Sequence, residues 1–143
     1  MASIRTKVIR KTRIRPSAIV KDYTADAKQL VGRAANLVRN TAVDSILQGA
    51  KSGVTYSLYN PRRTHTASAA GQPPASDTGF LASNITNVID VDGLGASVES
   101  RADYSSFLEF GTTKMAARPF MHPAAEENRP KIRRLAGQMI KVK

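Results

Sequence analysis

The sequence predicts an α+β fold: a long N-terminal helix and a C-terminal helix packed on a small antiparallel sheet, with long loops and a basic N-terminal arm. Three observations predict it. Apolar residues recur at spacings of three and four over residues 22–50. Strand-forming runs stand at 54–59, 85–91 and 94–100, the last two flanking Asp92-Gly93. A second helical pattern opens at Pro123. At 143 residues the chain is long enough for about one domain. We divide it into an arm, 1–21, and a single domain, 22–143.

The arm holds Ile4, Val8, Ile9 and Ile14 among basic residues without a clear period, and Pro16 argues against a helix through it. The first helix carries Tyr23, Ala27, Leu30, Val31, Ala34, Leu37, Val38, Thr41, Ala42 and Ile46 on one stripe. Asp22 or Thr24 caps its start, and Gly49 or Gly53 ends it. Gly32 inside it costs roughly 1 kcal/mol against Ala and suggests close approach of another backbone. Val54, Tyr56 and Leu58 alternate with Thr55, Ser57 and Tyr59, a strand pattern that Asn60-Pro61 ends. Residues 60–77 have little to bury and read as a long exposed loop. Asp77 or Thr78 caps a short helix through Phe80 and Leu81. Ile85–Val91 and Leu94–Ser100 form a hairpin about Asp92-Gly93. Asp103 caps a helical segment bearing Tyr104, Phe107, Leu108 and Phe110, which stops at Gly111. A second loop covers 112–122. The last helix has Glu126 and Glu127 near its start and Arg133 and Arg134 further on, an order that suits the dipole. Ile132, Leu135 and Met139 face inward, and Pro130 kinks or restarts this helix.

Composition narrows the function classes. There is no cysteine, which removes disulfides, thiolate zinc sites and cysteine nucleophiles. No apolar run reaches the ~18 residues of a membrane span. No apolar segment comes after the basic N-terminus, so no signal peptide and no membrane partner is expected. The net charge of +11 is unevenly placed. Residues 1–21 hold seven basic and no acidic residues; 22–100 hold six against seven; 101–143 hold nine against four. A neutral body with cationic ends attracts polyanions or an acidic protein surface. Arg5, Lys7, Arg10, Lys11, Arg13 and Arg15 are the candidate contacts to DNA phosphates or to an acidic partner. No aromatic is interleaved there, so base stacking is not expected.

Candidate chemistry is sparse. His65 and His122 lie far apart in two expected loops and do not make a metal site. Glu109 sits in an apolar segment with no nucleophile at useful spacing. The glycines match no phosphate-loop pattern, and no serine occupies a nucleophile elbow. The sequence therefore points to no catalytic residue, no metal and no cofactor.

Two blocks carry a resemblance. The first is Ser68-Ala69-Ala70-Gly71-Gln72-Pro73-Pro74-Ala75 and then Asp77-Thr78-Gly79-Phe80-Leu81. The second is Tyr104, Leu108-Glu109-Phe110-Gly111-Thr112, then Ala117-Arg118-Pro119-Phe120 and Pro123-Ala124. Together they resemble the tail-completion or head–tail joining proteins of long-tailed bacteriophages, the family of the lambda minor tail protein Z. The resemblance covers most of residues 22–140; the basic arm departs from it. It implies a structural virion protein rather than an enzyme, made in the host bacterial cytoplasm and placed in the neck. Its implied form is a ring of six copies around the DNA channel, contacting head-closure or connector proteins on one side and tail terminator or tail tube proteins on the other.

A closing ring needs two different adhesive faces on each subunit. Glu109, Arg118, Pro119, Phe120, Pro73 and Pro74 are the candidate interface residues. Arg and aromatics favour interface centres, and proline limits ordering cost. Phe120 has two readings, an interface anchor or a plug of its own core. Glu109 and Arg118 are candidates for an ion pair within or between subunits. Two other functions stay open: a tail-terminator or head-closure ring protein, and, from another class, a basic protein that binds nucleic acid nonspecifically through the backbone.

Overall fold

The computed structural model describes residues 16–141. Helix α1, Pro16–Leu47, forms the spine. With 32 residues it is about 48 Å long. It starts six residues earlier than Asp22, inside the expected arm. Pro16 stands at its first position, where a missing N–H costs no helical hydrogen bond. The stripe on α1 gives the buried Ala42 and Ile46 with Val38 packed beside them, while Ala34 is only half-buried; Ala35 and Val43, next to the stripe, are respectively buried and packed on the core.

Strands β1 (Thr55–Tyr59) and β2 (Arg62–Thr66) form an antiparallel hairpin around Asn60-Pro61. The expected long loop therefore contains a strand at 62–66. Nor is the rest of that loop all exposed: Ala67, Ser68 and Pro74 are buried. Helix α2, Phe80–Ser83, starts after Gly79 at φ 79°, and Thr78 rather than Asp77 lies near its first amide, 3.4 Å from Phe80 N. Strands β3 (Ile85–Ile89) and β4 (Ala96–Ser100) form the second hairpin, as the Asp-Gly signal predicts, although the connection runs from 90 to 95. The strands thus divide into two separate two-stranded sheets. Helix α3, Ser105–Phe110, ends at Gly111. Helix α4, Met121–Lys141, runs uninterrupted through Pro130, so the expected restart is not seen.

Helix α4 and the β3–β4 hairpin both pack on α1. Arg39 Nε donates to Ile85 O at 2.9 Å, and Asn87 Nδ2 donates to Asn36 Oδ1 at 2.7 Å. The hairpin therefore runs along α1 toward its N-terminal half, where Gly93 abuts the stem of Lys28. Fully buried Asn128 of α4 donates to Thr41 Oγ1 and to Ala124 O, both at 2.8 Å. This polar tie fixes the register of α4 on α1.

The core is small. It comprises Ala42, Ile46, Leu81, Ala82, Ile85, Ala102, Phe120 and Ala124. Alanine supplies half of it, so the helices and loops approach closely and bury little area per residue. Gly32 meets no neighbour within 4 Å of an added Cβ, so the expected close backbone approach is not there.

Candidate functional site

The two sequence blocks come together at the C-terminal end of α1. Gly71 N–H donates to Ala117 O at 2.9 Å, which ties the first block to the second. Residues 112–120 fold back on α3, with Arg118 N–H donating to Leu108 O at 2.7 Å. Gly111 permits this return. It has φ 75° and ψ 178°, and a Cβ there would stand 2.8 Å from Ala117 N.

Glu109 has an internal task. Its Oε2 accepts from the amides of Phe120 at 2.9 Å and Met121 at 3.0 Å, and its Oε1 accepts from His122 at 2.9 Å. A carboxylate on three free amides at a helix N-terminus satisfies orphan donors and complements the dipole. Glu109 is thus the cap of α4, delivered from another element. It makes no ion pair with Arg118 within the chain.

Burial decides between the two readings of Phe120. Phe120 is 1% exposed and fills the chain's own core, so it offers no anchor to a partner. Pro74 is buried, while Pro73 and Pro119 are half-buried. The cations Arg5, Lys7, Arg10, Lys11, Arg13 and Arg15 lie outside the described residues. His65 is half-buried on β2 and His122 is exposed in the first turn of α4. Among the described residues no three His, Asp or Glu side chains gather as a metal site, and no helix is long and apolar enough to cross a membrane.

An open cavity of about 230 Å³ lies between the blocks. Ile46, Leu81 and Leu108 give it apolar walls; Ser68, Tyr104 and Arg118 give it polar ones. Asp77 at its edge is held by Arg63 at 2.8 Å and by His65 at 3.6 Å. Burial, and then the Asp77 carboxylate, push the Tyr104 phenol above its usual range. The Arg118 guanidinium has no carboxylate within 4.0 Å among the described residues. Its Nη1 is 3.9 Å from Met115 Sδ, and its buried Nε has no partner. Ser68 is 1% exposed and its Oγ has no partner either.

Arg63 and Asn128 carry no distinctive signal in the sequence; Ser68 and Asp77 stand in the first block and His65 just upstream of it, but nothing there shows the burial of Ser68 or the Arg63–Asp77–His65 pairing. Two five-residue runs around Asn60-Pro61 are the available signal for that pairing. Once 62–66 is a strand, Arg63 and His65 share one face, with Leu58 and Tyr56 as their cross-strand partners.

Large apolar side chains are exposed at the rim of this cavity and elsewhere on the surface. Of eight aromatic side chains only Phe120 is buried; Tyr23, Tyr56, Tyr59, Phe80, Tyr104, Phe107 and Phe110 are all exposed. Phe80 and Tyr104 lie together, with ring centroids 6.3 Å apart, and Phe107 and Phe110 continue from Tyr104 at three-residue steps along α3. At the β3–β4 tip Ile89, Val91 and Leu94 are exposed as well.

These features define a small α+β protein with a minimal core, an open mixed cavity and apolar side chains turned outward. Comparison with family models, with curated proteins and with solved structures finds no match for this chain.

Proposed function

We propose that this chain is a structural subunit of a tailed-bacteriophage neck: a tail-completion protein that forms a ring joining the tail tube to the head connector, with no catalytic role. The observation that carries the reading is the outward exposure of seven of the eight aromatic side chains. Apolar patches of this kind on a protein surface mark protein–protein contact, and a ring subunit between two other rings needs several. The Tyr104–Phe107–Phe110 side of α3 and the β3–β4 tip lie on different elements, as a heterologous contact requires.

The resemblance of Ser68–Leu81 and Tyr104–Ala124 to tail-completion proteins supplies the location. The contact found between those two blocks supports treating them as one unit. A sixfold ring, partners in the connector and the tail tube, and a virion location are parts of this proposal, and so is contact of the arm with DNA or an acidic neighbour.

The test is removal of the chain from the phage that encodes it. DNA-filled heads and complete tails are expected to accumulate unjoined, with joining restored by the purified chain. Infectious, joined particles made without it would refute the proposal.

A further inference from the structure

We infer that the cavity at Ser68 and Arg118 is the socket of a head-to-tail contact, and that it receives the β3–β4 hairpin tip of a second copy, with Asp92 meeting Arg118. This inference rests on the ring reading above and specifies its contact.

The socket is unfinished within one chain. Among the described residues Arg118 has no carboxylate partner, and its Nη1 has only Met115 Sδ beside it, at 3.9 Å. Asp77 is already taken by Arg63 and His65, which leaves the Arg118 charge uncompensated. The walls are apolar at Ile46, Leu81 and Leu108. The fitting occupant is a narrow segment with a carboxylate and apolar flanks.

The hairpin tip has that chemistry. It reads Ile89-Asp90-Val91-Asp92-Gly93-Leu94. Val91 is fully exposed, and Ile89 and Leu94 are about half exposed. Asp90 is tucked beside Gly95, whereas Asp92 uses Oδ1 to accept from Leu94 N–H at 2.8 Å and keeps Oδ2 for a partner. The stem of Lys28 lies under Gly93, so the tip retains acidic character with one cation near its base. The basic arm is the wrong occupant, because residues 1–21 contain no carboxylate.

The positions exclude insertion of a tip into its own socket. The tip lies level with Lys28 and the socket with Ile46, eighteen residues apart on one helix, or about 27 Å. Tip and socket are therefore well separated along α1. A contact between different surfaces of identical copies propagates head to tail and closes into a ring when the rotation allows.

The native chain has no cysteine, so introduced thiols are unique. Chains carrying only Val91→Cys and chains carrying only Thr78→Cys, on the socket rim, are given tags of different mass, co-expressed at full length and treated with a short bismaleimide. The expected product is the mixed dimer, in at least about tenfold excess over either same-variant dimer, with the bridge mapped to 91 and 78. Adding Asp92→Arg to both chains is expected to abolish the product, and adding Arg118→Glu as well is expected to restore it. Absence of the mixed product overturns the inference, whether copies stay apart or meet by other faces. A bridge from position 78 to any other segment overturns it too. Both cysteine positions are exposed, so this readout does not depend on the folding of the charge variants. If chains join heads to tails but give no mixed dimer, only the tip-and-socket contact fails. If the mixed dimer forms in a chain that has no role in head–tail joining, only the neck reading fails.

Discussion

The carboxylate of Glu109 lies 2.9 Å from the backbone nitrogen of Phe120, and through the next two amides it caps the whole N-terminus of α4. This contact explains the pairing of an acid in the first half of the second block with an aromatic at its end. Glu109 closes the loop, and the closed loop drops Phe120 into the core. Replacing Glu109 with Ala leaves three amides without their charged acceptor and is expected to cost about 2–4 kcal/mol. Glu109→Gln keeps one acceptor oxygen and should lose roughly half of that. Thermal unfolding of the three proteins checks the order; equal midpoints would remove the cap from the account.

Phe120 and Phe110 separate stability from assembly. Phe120→Ala opens a cavity in a core that is half alanine and is expected to cost about 3–5 kcal/mol. Phe110 is 82% exposed, so Phe110→Ser should change stability by less than about 0.5 kcal/mol while weakening association with partners. Chemical denaturation reads the first effect and analytical ultracentrifugation the second. A large stability loss at Phe110 would mean that its ring packs in the isolated chain.

Two glycines are expected to respond with opposite signs. At Gly111 the backbone takes a conformation nearly reserved for glycine, and a Cβ would press on Ala117 N and Met115 O. Gly111→Ala should cost about 2 kcal/mol or more. At Gly32, mid-helix and with open space around it, Gly32→Ala should stabilise by about 0.5–1 kcal/mol. Urea midpoints measure both.

Tyr104 makes an alkaline prediction. Burial and the Asp77 carboxylate keep its phenol protonated to higher pH in the folded chain than in the unfolded one. The folded state then binds more protons between those two pKa values, so stability falls there with rising pH. The contribution is complete below about pH 10 and is lost as pH climbs through the folded value. Ultraviolet titration of phenolate should show a component above about pH 10 that Tyr104→Phe removes. A Tyr104 midpoint at or below about 10 would contradict the environment described for it.

Local pattern is a good guide where periodicity is strong. The α1 stripe, the Asp92-Gly93 hairpin, α3 with its Gly111 stop, and α4 are all legible, because each rests on spacing or turn chemistry within a few residues. Strand β2 is not legible: Arg62, Arg63 and His65 are poor burial signals, and the pairing with Tyr56 and Leu58 supplies the order. The start of α1 is misplaced by sequence because Pro16 reads as a breaker, whereas it stands at the one helical turn that accepts it. Among site residues, Glu109, Arg118 and Phe120 stand out by type, but their tasks depend on a chain reversal at Gly111 that composition does not display. Ser68 and Asn128 are ordinary polar residues in sequence, and their burial arises only from tertiary packing.

The central claim is that this chain is a ring component of a virion neck. Cryo-electron microscopy of the phage particles whose genome encodes it tests that claim most directly. The predicted result is a closed ring of this chain, sixfold, between connector and tail tube, with aromatic side chains at its contacts. Neck density fully explained by other proteins, in particles that lack this chain, would contradict it.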